Sequence, residues 1–443
     1  MQDLTQGSEY KALFRFMLPI LVGNIFQQFY NVADSIIVGQ VLGKENLAAV
    51  GFCFQINLII VALSMGLTLG TSILVSKHYG AQELDRIGTV IDTGFLFSLV
   101  VSVLGAVVGV LSAGGILRLF QVPEDTFPYA YIYLRILFVG MVPTFLYNTM
   151  TNILRGLGDS RSPVYFLIAA ALMNIVLDIL FVRNLGMGIA GAAYATIASQ
   201  FFSFFGSFVY MYIRYPRHRI RLLHPSLDLG VLRDSLKIGV PSMMQQVFRS
   251  LGFMTLQGMV NTFGTNCMAA YAAATKIDSF AQLPALNMGQ ALSNFTAQNR
   301  GAKREDRARR GFKAALVMAL TVTIAITLVI YPNPDLFVGL FSSDAEVLAI
   351  GREYLRIVSI FYCVDATMQA LNGILLGYEK PFVPMVSTIV SLCIMQVPAA
   401  FLLSHTALGY TGIWLATPFG WLGGVAIRYY YFRRYVSRKE IPA

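Results

Sequence analysis

The sequence predicts an all-α polytopic membrane protein with twelve transmembrane helices in two six-helix lobes. Three observations predict this fold class: the apolar composition, the apolar stretches of bilayer length, and the repetition of one half of the chain in the other. Apolar residues make up 56% of the 443 and charged residues only 13%, whereas about 25% of a soluble domain is charged. The mean hydropathy is +0.63, so a bilayer is the expected surrounding of most of the chain.

Apolar stretches long enough to cross a bilayer as helices recur along the whole chain. Residues 91–111, 164–182, 314–330 and 384–403 are examples, and roughly 20 apolar residues span the hydrocarbon core as a helix. A segment in lipid must satisfy its own backbone hydrogen bonds, so we expect helices rather than strands. We place them at residues 14–41, 47–76, 87–115, 127–153, 162–183, 189–214, 232–262, 268–299, 311–331, 346–376, 382–404 and 411–433.

The net charge of +10 is carried mainly by alternate connections between these helices. Lys and Arg cluster at residues 214–233, 300–313 and 433–439. By the positive-inside rule, this pattern predicts a multi-pass protein of the inner (cytoplasmic) membrane with both termini in the cytoplasm. The basic charge follows from topology, so we expect the lipid bilayer, and no nucleic acid, as a partner. Residues 1–16 are polar, which is unlike the start of a cleaved signal peptide.

The second half of the chain repeats the first at a spacing of 221 residues. We therefore predict an N-terminal lobe at residues 1–213, a cytoplasmic linker at 214–233 and a C-terminal lobe at 234–443. A pseudo-two-fold axis along the membrane normal would relate the lobes, and two such bundles around a central cleft are typical of alternating-access transporters. The repeated groups include Gly80-Ala81 and Gly301-Ala302, Asp85-Arg86 and Asp306-Arg307, residues 133–136 and 354–357, and Ala195-Thr196 and Ala416-Thr417.

Three polar residues of the predicted membrane helices have no counterpart in the second half. A carboxylate in mid-bilayer costs about 2.5–3.5 kcal/mol on insertion scales, so it requires a partner, a cavity or a function. The three residues are Asp34, Asn174 and Asp178, and the repeat spacing replaces them with Thr255, Met395 and Ala399.

These residues are the candidate cation-coupling site. Asn174 and Asp178 are four residues apart and share one helix face. With Asp34 and a hydroxyl such as Thr196, they would offer an all-oxygen cage for a hard cation such as Na⁺. Alternatively, burial and mutual repulsion would keep one Asp protonated. In a third interpretation, both acids only hydrogen-bond neighbouring helices, and the sequence does not choose between H⁺ and Na⁺.

The predicted C-terminal lobe carries its own intramembrane charges. Arg249 and Asp365 fall at similar depths, and we interpret them either as a structural charge pair or as substrate ligands. The sequence assigns no role to Lys276 and Asp278. The predicted eighth helix is rich in amides, which either line a wet cavity or bridge helices. Our candidates for the substrate cleft are Gln27, Asn31, Asn148, Asn152, Gln246, Gln282, Asn287, Gln290 and Asn294.

The sequence gives little support to an enzyme. His224 and Asp228 have the HxxxD spacing of some acyltransferases, but they lie in the basic linker. HExxH, GxSxG and Walker A motifs are absent from the sequence. We therefore expect no enzymatic activity and no cofactor other than a coupling ion. Nothing in the sequence requires more than a monomer.

Four motifs occur in order on this doubled six-helix frame: Pro19 with residues 27–34, then residues 154–159, 174–178 and 186–193. Together they resemble the multidrug and toxic compound extrusion (MATE) family over essentially the full length of the chain. The resemblance implies a V-shaped pair of lobes and antiport of cationic or amphipathic compounds against H⁺ or Na⁺.

The resemblance also implies where the cation binds. In the prokaryotic branch that this chain resembles, the site lies in the N-terminal lobe, and its motif carries over to Asp34, Asn174, Asp178 and Thr196. A helix-ten acid of another branch matches Asp365, but Arg249 stands where that branch has a glutamate. This departure argues against a second cation site and for the Arg249–Asp365 pair. The alternative function is a flippase for lipid-linked or polysaccharide precursors, which shares the same broad fold.

Overall fold

A computed structural model of the protein describes residues 2–42, 44–221 and 225–437. Within the first helix, Glu9–Leu42, the description of side chains ends at Phe29, and in the next helix it is complete from Ala49 onward. In the described ranges the chain is helical, without strands, and its helices are joined by short turns.

Twelve long helices make up the described chain, together with a short helix at Pro334–Gly339 and a 3₁₀ turn at Pro216–His218. Three helices change geometry along their length in the described residues, because π-helical segments at Ile179–Asn184, Val390–Gln396 and Arg433–Ser437 interrupt or continue the regular α-helix. The helices are α1 (Glu9–Leu42), α2 (Lys44–Gly80), α3 (Leu84–Leu119), α4 (Phe127–Gly156), α5 (Ser162–Asp178, then π-helical), α6 (Gly188–Arg214), α7 (Leu229–Asn261), α8 (Thr265–Gly301), α9 (Glu305–Ile330), α10 (Ala345–Ser359 and Tyr362–Gly377), α11 (Phe382–Ser404) and α12 (Tyr410–Phe432).

The predicted fold class, an all-α protein with twelve spanning helices, is confirmed. Among the described residues, eight helices are long and apolar enough to cross a membrane by length and composition alone. These are α1 to α6, α9 and α11. The other four include α8, which carries the amide-rich face described below.

The backbone repeats itself at the spacing that the sequence predicts. Left-handed residues terminate helices at corresponding places: Gln82 (φ +61°) after α2 and Lys303 (φ +57°) after α8. A residue in this conformation is a common way to end a helix, because it turns the next N–H back onto a free carbonyl. Glu83 N thus donates to His78 O at 3.0 Å, and Arg304 N donates to the corresponding Asn299 O at 2.7 Å.

The chain forms two compact units. The first consists of Met1–Gln2 and Leu18–Met243, and the second of Asp3–Met17 and Met244–Ala443. Each has its own hydrophobic core: α2, α3, α4 and α6 supply that of the first unit, and α8, α10 and α12 most of that of the second. The lobe boundaries drawn from the sequence stay a prediction.

Close helix packing in the second unit depends on two glycines. A Cβ on Gly373 of α10 would lie 2.3 Å from the backbone oxygen of Gly289 on α8. Small residues allow helix backbones to approach this closely in membranes. The α8–α10 contact therefore holds together the part of the second unit that contains its buried charges.

The segment between α6 and α7 is fixed on α3 within the first unit. Asp92, a buried residue of α3, accepts hydrogen bonds from the backbone N–H of Arg221 at 2.9 Å and of Ser226 at 3.2 Å. Thr93 Oγ1 accepts a further bond from Asp228 N at 3.2 Å. His224, the histidine of the HxxxD spacing, lies outside the described residues.

Candidate cation site

Asn174, Asp178 and Thr196 meet in the first unit. With the Asn174 amide oriented to satisfy both of its polar atoms, its Nδ2 donates to Asp178 Oδ2 at 2.8 Å. Its Oδ1 accepts from the backbone N–H of Thr196 at 3.1 Å. Asn174 is 1% exposed and Asp178 is fully buried. One amide side chain therefore orients a buried carboxylate and joins α5 to α6.

The local fold explains why α6 reaches this position. Asp178 is the last residue of the regular part of α5, and the π-helical segment Ile179–Asn184 follows it. The turn into α6 uses two left-handed glycines, Gly186 (φ +63°) and Gly188 (φ +59°). π-Helical turns of this kind often occur at functional sites in helices. The tight turn folds α6 back along α5, which places Thr196 level with Asn174.

The arrangement suits a bound cation. The Asn174 amide is a neutral donor, so it orients the Asp178 carboxylate without cancelling its charge. The Thr196 hydroxyl donates to Ala192 O at 3.0 Å, which leaves its own oxygen able to serve as a ligand.

The contribution of the first helix to this site stays a prediction. Asp34 and Asn31 lie in the part of α1 whose side chains are outside the description, so their contacts are not described. Among the described residues there is no group of three or more His, Cys, Asp or Glu side chains that could hold a metal ion. The four-residue cage of Asp34, Asn174, Asp178 and Thr196 therefore stays a prediction.

The other first-unit candidates for the substrate cleft occupy different environments. Gln27 is half-buried on α1. Asn148 is half-buried on α4, and its amide donates to Thr144 O of the same helix at 3.0 Å. Asn152 is buried, and its amide donates to Thr68 Oγ1 on α2 at 2.7 Å. Asn152 thus ties α4 to α2.

The amide-rich face of α8 bonds in part to its own helix. Asn287 and Asn294 are buried, and their amides donate to backbone oxygens one turn earlier, Leu283 O at 2.7 Å and Gln290 O at 3.3 Å. Gln290 Oε1 is buried and accepts no hydrogen bond. Gln282 and Gln246 are half-buried. The expectation that these side chains line one substrate cleft with those of the first unit stays a prediction.

Arg249 and Asp365 are near each other without direct contact. The ion pairs within 4 Å in the described part of the chain do not include one between them; Arg249 instead lies over the Phe253 ring, 5.8 Å from its centre. Asp365 is buried, and its Oδ1 accepts from Gln369 Nε2 at 3.2 Å. The charge pair predicted from the sequence stays a prediction.

Arg428 is a buried charge on α12 that is not among the residues predicted from the sequence. Arg428 is 2% exposed and donates to Met368 O at 3.0 Å and to Thr388 Oγ1 at 2.9 Å. It interacts electrostatically with Asp365 and Arg249. The sequence does contain a signal for this residue, namely an arginine inside the apolar run of the predicted helix 411–433. Charged residues are rare in membrane helices and are usually paired there.

Asp278 connects α8 to both segments of α10. Its Oδ2 accepts from the Tyr354 hydroxyl at 2.6 Å, and its Oδ1 accepts from the Tyr362 hydroxyl. Tyr354 also packs edge-on against Trp414, with ring centres 5.0 Å apart. Because α10 is interrupted between Ser359 and Tyr362, this buried carboxylate fixes the two segments relative to each other.

A comparison with protein families decides the identity of the chain. A model of the MatE family matches residues 19–180 and again residues 241–402. Each match covers one of the two repeated halves, and together they cover most of the chain. The chain belongs to the MATE family. It is a transmembrane transporter with an internal repeat.

Curated relatives agree with this assignment over nearly the whole length. MATE relatives of Bacillus subtilis (strain 168) include the "Probable multidrug resistance protein YoeA", which is 30% identical over 99% of this chain and 97% of its own length. The "Probable multidrug resistance protein YpnP" of the same organism is 30% identical over 97% and 96%. A protein of Shewanella oneidensis named "FAD transporter" is 25% identical over 95% and 93%.

Solved MATE structures share the fold. One, described as the outward-facing conformation of a multidrug resistance MATE family transporter, superposes with a TM-score of 0.92 at 26% identity and covers 98% of this chain and 97% of its own. A structure described as a MOP superfamily transporter from Pyrococcus furiosus has a TM-score of 0.91 at 26% identity, covers 98% of this chain and 97% of its own, and is reported to have a binding pocket of reverse polarity. The twelve-helix arrangement is thus the MATE fold.

Proposed function

We propose that this protein is a cation-coupled antiporter of the inner membrane that exports small organic compounds, often cationic or amphipathic, by a rocking alternating-access mechanism. H⁺ or Na⁺ is the coupling ion, and both termini lie in the cytoplasm. The observation that carries the proposal is the buried Asp178 carboxylate, oriented by Asn174 and joined through it to Thr196 in two membrane-spanning helices.

The coupling follows from differential affinity. An ion shifts a conformational equilibrium only by as much as it binds one state more tightly than another. A carboxylate binds a cation more strongly in a buried, water-poor environment than when water reaches it, so we propose that the state in which Asp178 is buried binds the ion more tightly. Ion entry should therefore favour the state that releases substrate outward, and ion loss should favour the state that binds substrate from the cytoplasm.

The relatives support drug export as the direction of transport. Two of them, each 30% identical over nearly the full length, carry the name multidrug resistance protein. The repeated halves support alternating access, since many secondary transporters work with two similar bundles. The polar residues predicted for the cleft would orient a substrate that is held mainly by apolar and aromatic walls.

A second candidate is transport of an anionic substrate, such as a lipid-linked or polysaccharide precursor. The buried Arg428 and the half-buried Arg249 of the second unit favour it, because arginines bind phosphate and carboxylate groups through paired hydrogen bonds. One relative is named a FAD transporter, whose cargo carries phosphates. The acidic site around Asp178 favours the first candidate.

Transport in proteoliposomes tests the proposal. The probe is ethidium, driven by a pH gradient or a Na⁺ gradient imposed separately. Wild-type protein should move ethidium uphill on one gradient, and Asp178→Asn should lose this movement. Asp278→Asn is the control, because it neutralises a buried carboxylate in the other unit. Uphill transport by Asp178→Asn would contradict the coupling, and transport of a phosphate-bearing substrate in place of ethidium would favour the second candidate.

A further inference from the structure

The segment that precedes α1, residues 3–8, is held by hydrogen bonds to residues at the C-terminal end of α8 and at the N-terminal end of α9. Residues 3–8 have no helix of their own. Leu4 is fully buried, its N–H donates to Gln298 Oε1 at 3.2 Å, and its carbonyl oxygen accepts from Asn299 Nδ2 at 3.1 Å. Arg304 Nη1 donates to Thr5 O at 2.7 Å. Two consecutive residues of the segment are therefore fixed through their backbone.

Arg307 binds the next part of the same segment. Its Nη2 donates to Gln6 O at 2.8 Å and its Nη1 to Gly7 O at 2.6 Å. Arg307 is 7% exposed, and its guanidinium carbon lies 5.4 Å from the centre of the Phe295 ring. Arginine has five donors in a fixed fork, so one side chain can hold several carbonyls. The contacts go to main-chain oxygens, as in a site for an extended peptide.

An ion pair closes the site where α1 begins. Glu9 Oε1 lies 2.9 Å from Arg310 Nε and 3.3 Å from Arg307 Nη1. The peptide segment is thus bound from Leu4 to Glu9 by one group of side chains.

The repeated scaffold does not require this site. Arg307 corresponds to Arg86 in the first half, which is exposed. Asn299 corresponds to His78, whose ring nitrogen lies 2.6 Å from Glu83 Oε2. The first unit thus keeps the arginine, but it has His78 and Glu83 in place of Asn299 and Arg304.

We propose that the ends of α8 and α9 form a reversible peptide-binding site whose ligand is the chain's own segment, residues 3–8. The segment is released and bound again in each transport cycle. It is suited to release, because side chains rather than regular structure hold it and because Gln6, Gly7 and Ser8 are exposed. The release step rests on the proposed function, since the segment leads directly into α1, the helix that carries the predicted coupling residue Asp34.

Hydrogen exchange measured by mass spectrometry tests the binding site on the whole protein in nanodiscs. Arg307→Ala should accelerate exchange of residues 3–9 by at least about tenfold, because local opening then requires less free energy. Arg307→Lys should accelerate it less, since lysine keeps the charge but not the fork. Arg86→Ala is the matched control and should leave these residues unchanged. Unchanged exchange in Arg307→Ala would overturn the site.

A cleavable cross-link tests the release. In a background without the four native cysteines, Ser8→Cys and Asp306→Cys are joined by a disulfide-containing bifunctional reagent; both side chains are exposed and make none of the contacts described above. We expect ethidium transport to stop on cross-linking and to return on reduction, while Ser8→Cys alone, treated in the same way, transports throughout. A cross-linked protein that transports at the rate of the reduced one would overturn the release.

The two experiments separate this proposal from the proposed function. If the protein moves no substrate before cross-linking, the proposed function fails. The release of the segment is then tested by hydrogen exchange in the wild-type protein. Residues 3–9 exchanging faster than the ends of α8 and α9 would then support a releasable segment. Equal exchange rates in residues 3–9 and in these two helix ends would overturn the proposal of a releasable segment.

Discussion

Asn174 Nδ2 lies 2.8 Å from Asp178 Oδ2, one helical turn away on α5, and the same amide accepts a hydrogen bond from the backbone of Thr196 on α6. A single neutral side chain thus orients a buried carboxylate at the point where α5 becomes π-helical. Ion coupling at Asp178 depends on this relationship, because the orientation decides which carboxylate oxygen is presented to an ion.

Replacing Asn174 should weaken ion binding without unfolding the protein. Asn174→Ala removes the amide that orients Asp178, and the loss of such a supporting hydrogen bond typically lowers ion affinity about 10- to 100-fold. The apparent affinity for the coupling ion, measured from the ion dependence of ethidium transport, should fall by that amount. Asn148→Ala is the control, because its amide bonds within α4, and it should retain the wild-type affinity. Equal affinities in both variants would contradict the role of Asn174.

Removing the charge of Asp278 should destabilise the second unit. Asp278→Asn weakens the hydrogen bonds from Tyr354 and Tyr362, and hydrogen bonds to a charged group contribute about 1.5–3 kcal/mol each. We expect a lower unfolding temperature in detergent with ion coupling retained in the folded protein. The exposed pair of Asp335 and Arg352 provides the control, since Asp335→Asn should change the unfolding temperature little. A variant that unfolds like wild type would rule out the structural role of Asp278.

Adding one methyl group to α10 should disrupt its contact with α8. The Cβ of Gly373→Ala would lie 2.3 Å from Gly289 O, a distance that requires the backbones to move apart. We expect a large loss of folded protein, measured by size-exclusion chromatography after extraction. Gly258→Ala on α7 is the control, because nothing lies within 4 Å of its added Cβ, and alanine is favoured over glycine in a helix by about 0.5–1 kcal/mol. Similar yields of the two variants would contradict the packing argument.

Asp159, in the turn between α4 and α5, should make stability depend on pH. Burial raises the pKa of its carboxyl, but hydrogen bonds from the backbone and hydroxyl of Ser162 and from Tyr215 and Tyr210 outweigh this and lower it. A carboxyl with a depressed pKa in the folded state stabilises the fold above its unfolded pKa of about 3.9. That contribution is lost as the pH falls through the folded value.

The Asp159→Asn variant provides the measurement. Its unfolding temperature should lie below that of wild type at pH 7, and the difference should shrink as the pH approaches the folded pKa from above. A difference that stays constant from pH 7 to strongly acidic conditions would show that the ionised carboxylate contributes nothing.

The sequence predicts the helices well, because hydropathy and length report directly on the cost of placing a segment in lipid. It also predicts that Asn174 and Asp178 share a face, since that depends only on helix geometry. It cannot choose tertiary partners. Nothing local distinguishes Asn152, which bonds to α2, from Asn148, which bonds to its own helix. The site of Arg307 was missed for the same reason, because its ligand lies about 300 residues away along the chain.

The most direct test of the central claim is whether substrate binding displaces an ion from Asp178. Purified protein in weakly buffered detergent solution is titrated with ethidium while a pH indicator reports released H⁺ and, in a separate titration, bound ²²Na⁺ is counted. We predict that wild-type protein releases ions as it binds substrate, because reciprocal linkage requires the substrate to weaken ion binding if the ion weakens substrate binding, and that Asp178→Asn binds ethidium and releases none. Ion release by Asp178→Asn equal to that of the wild type would contradict the account.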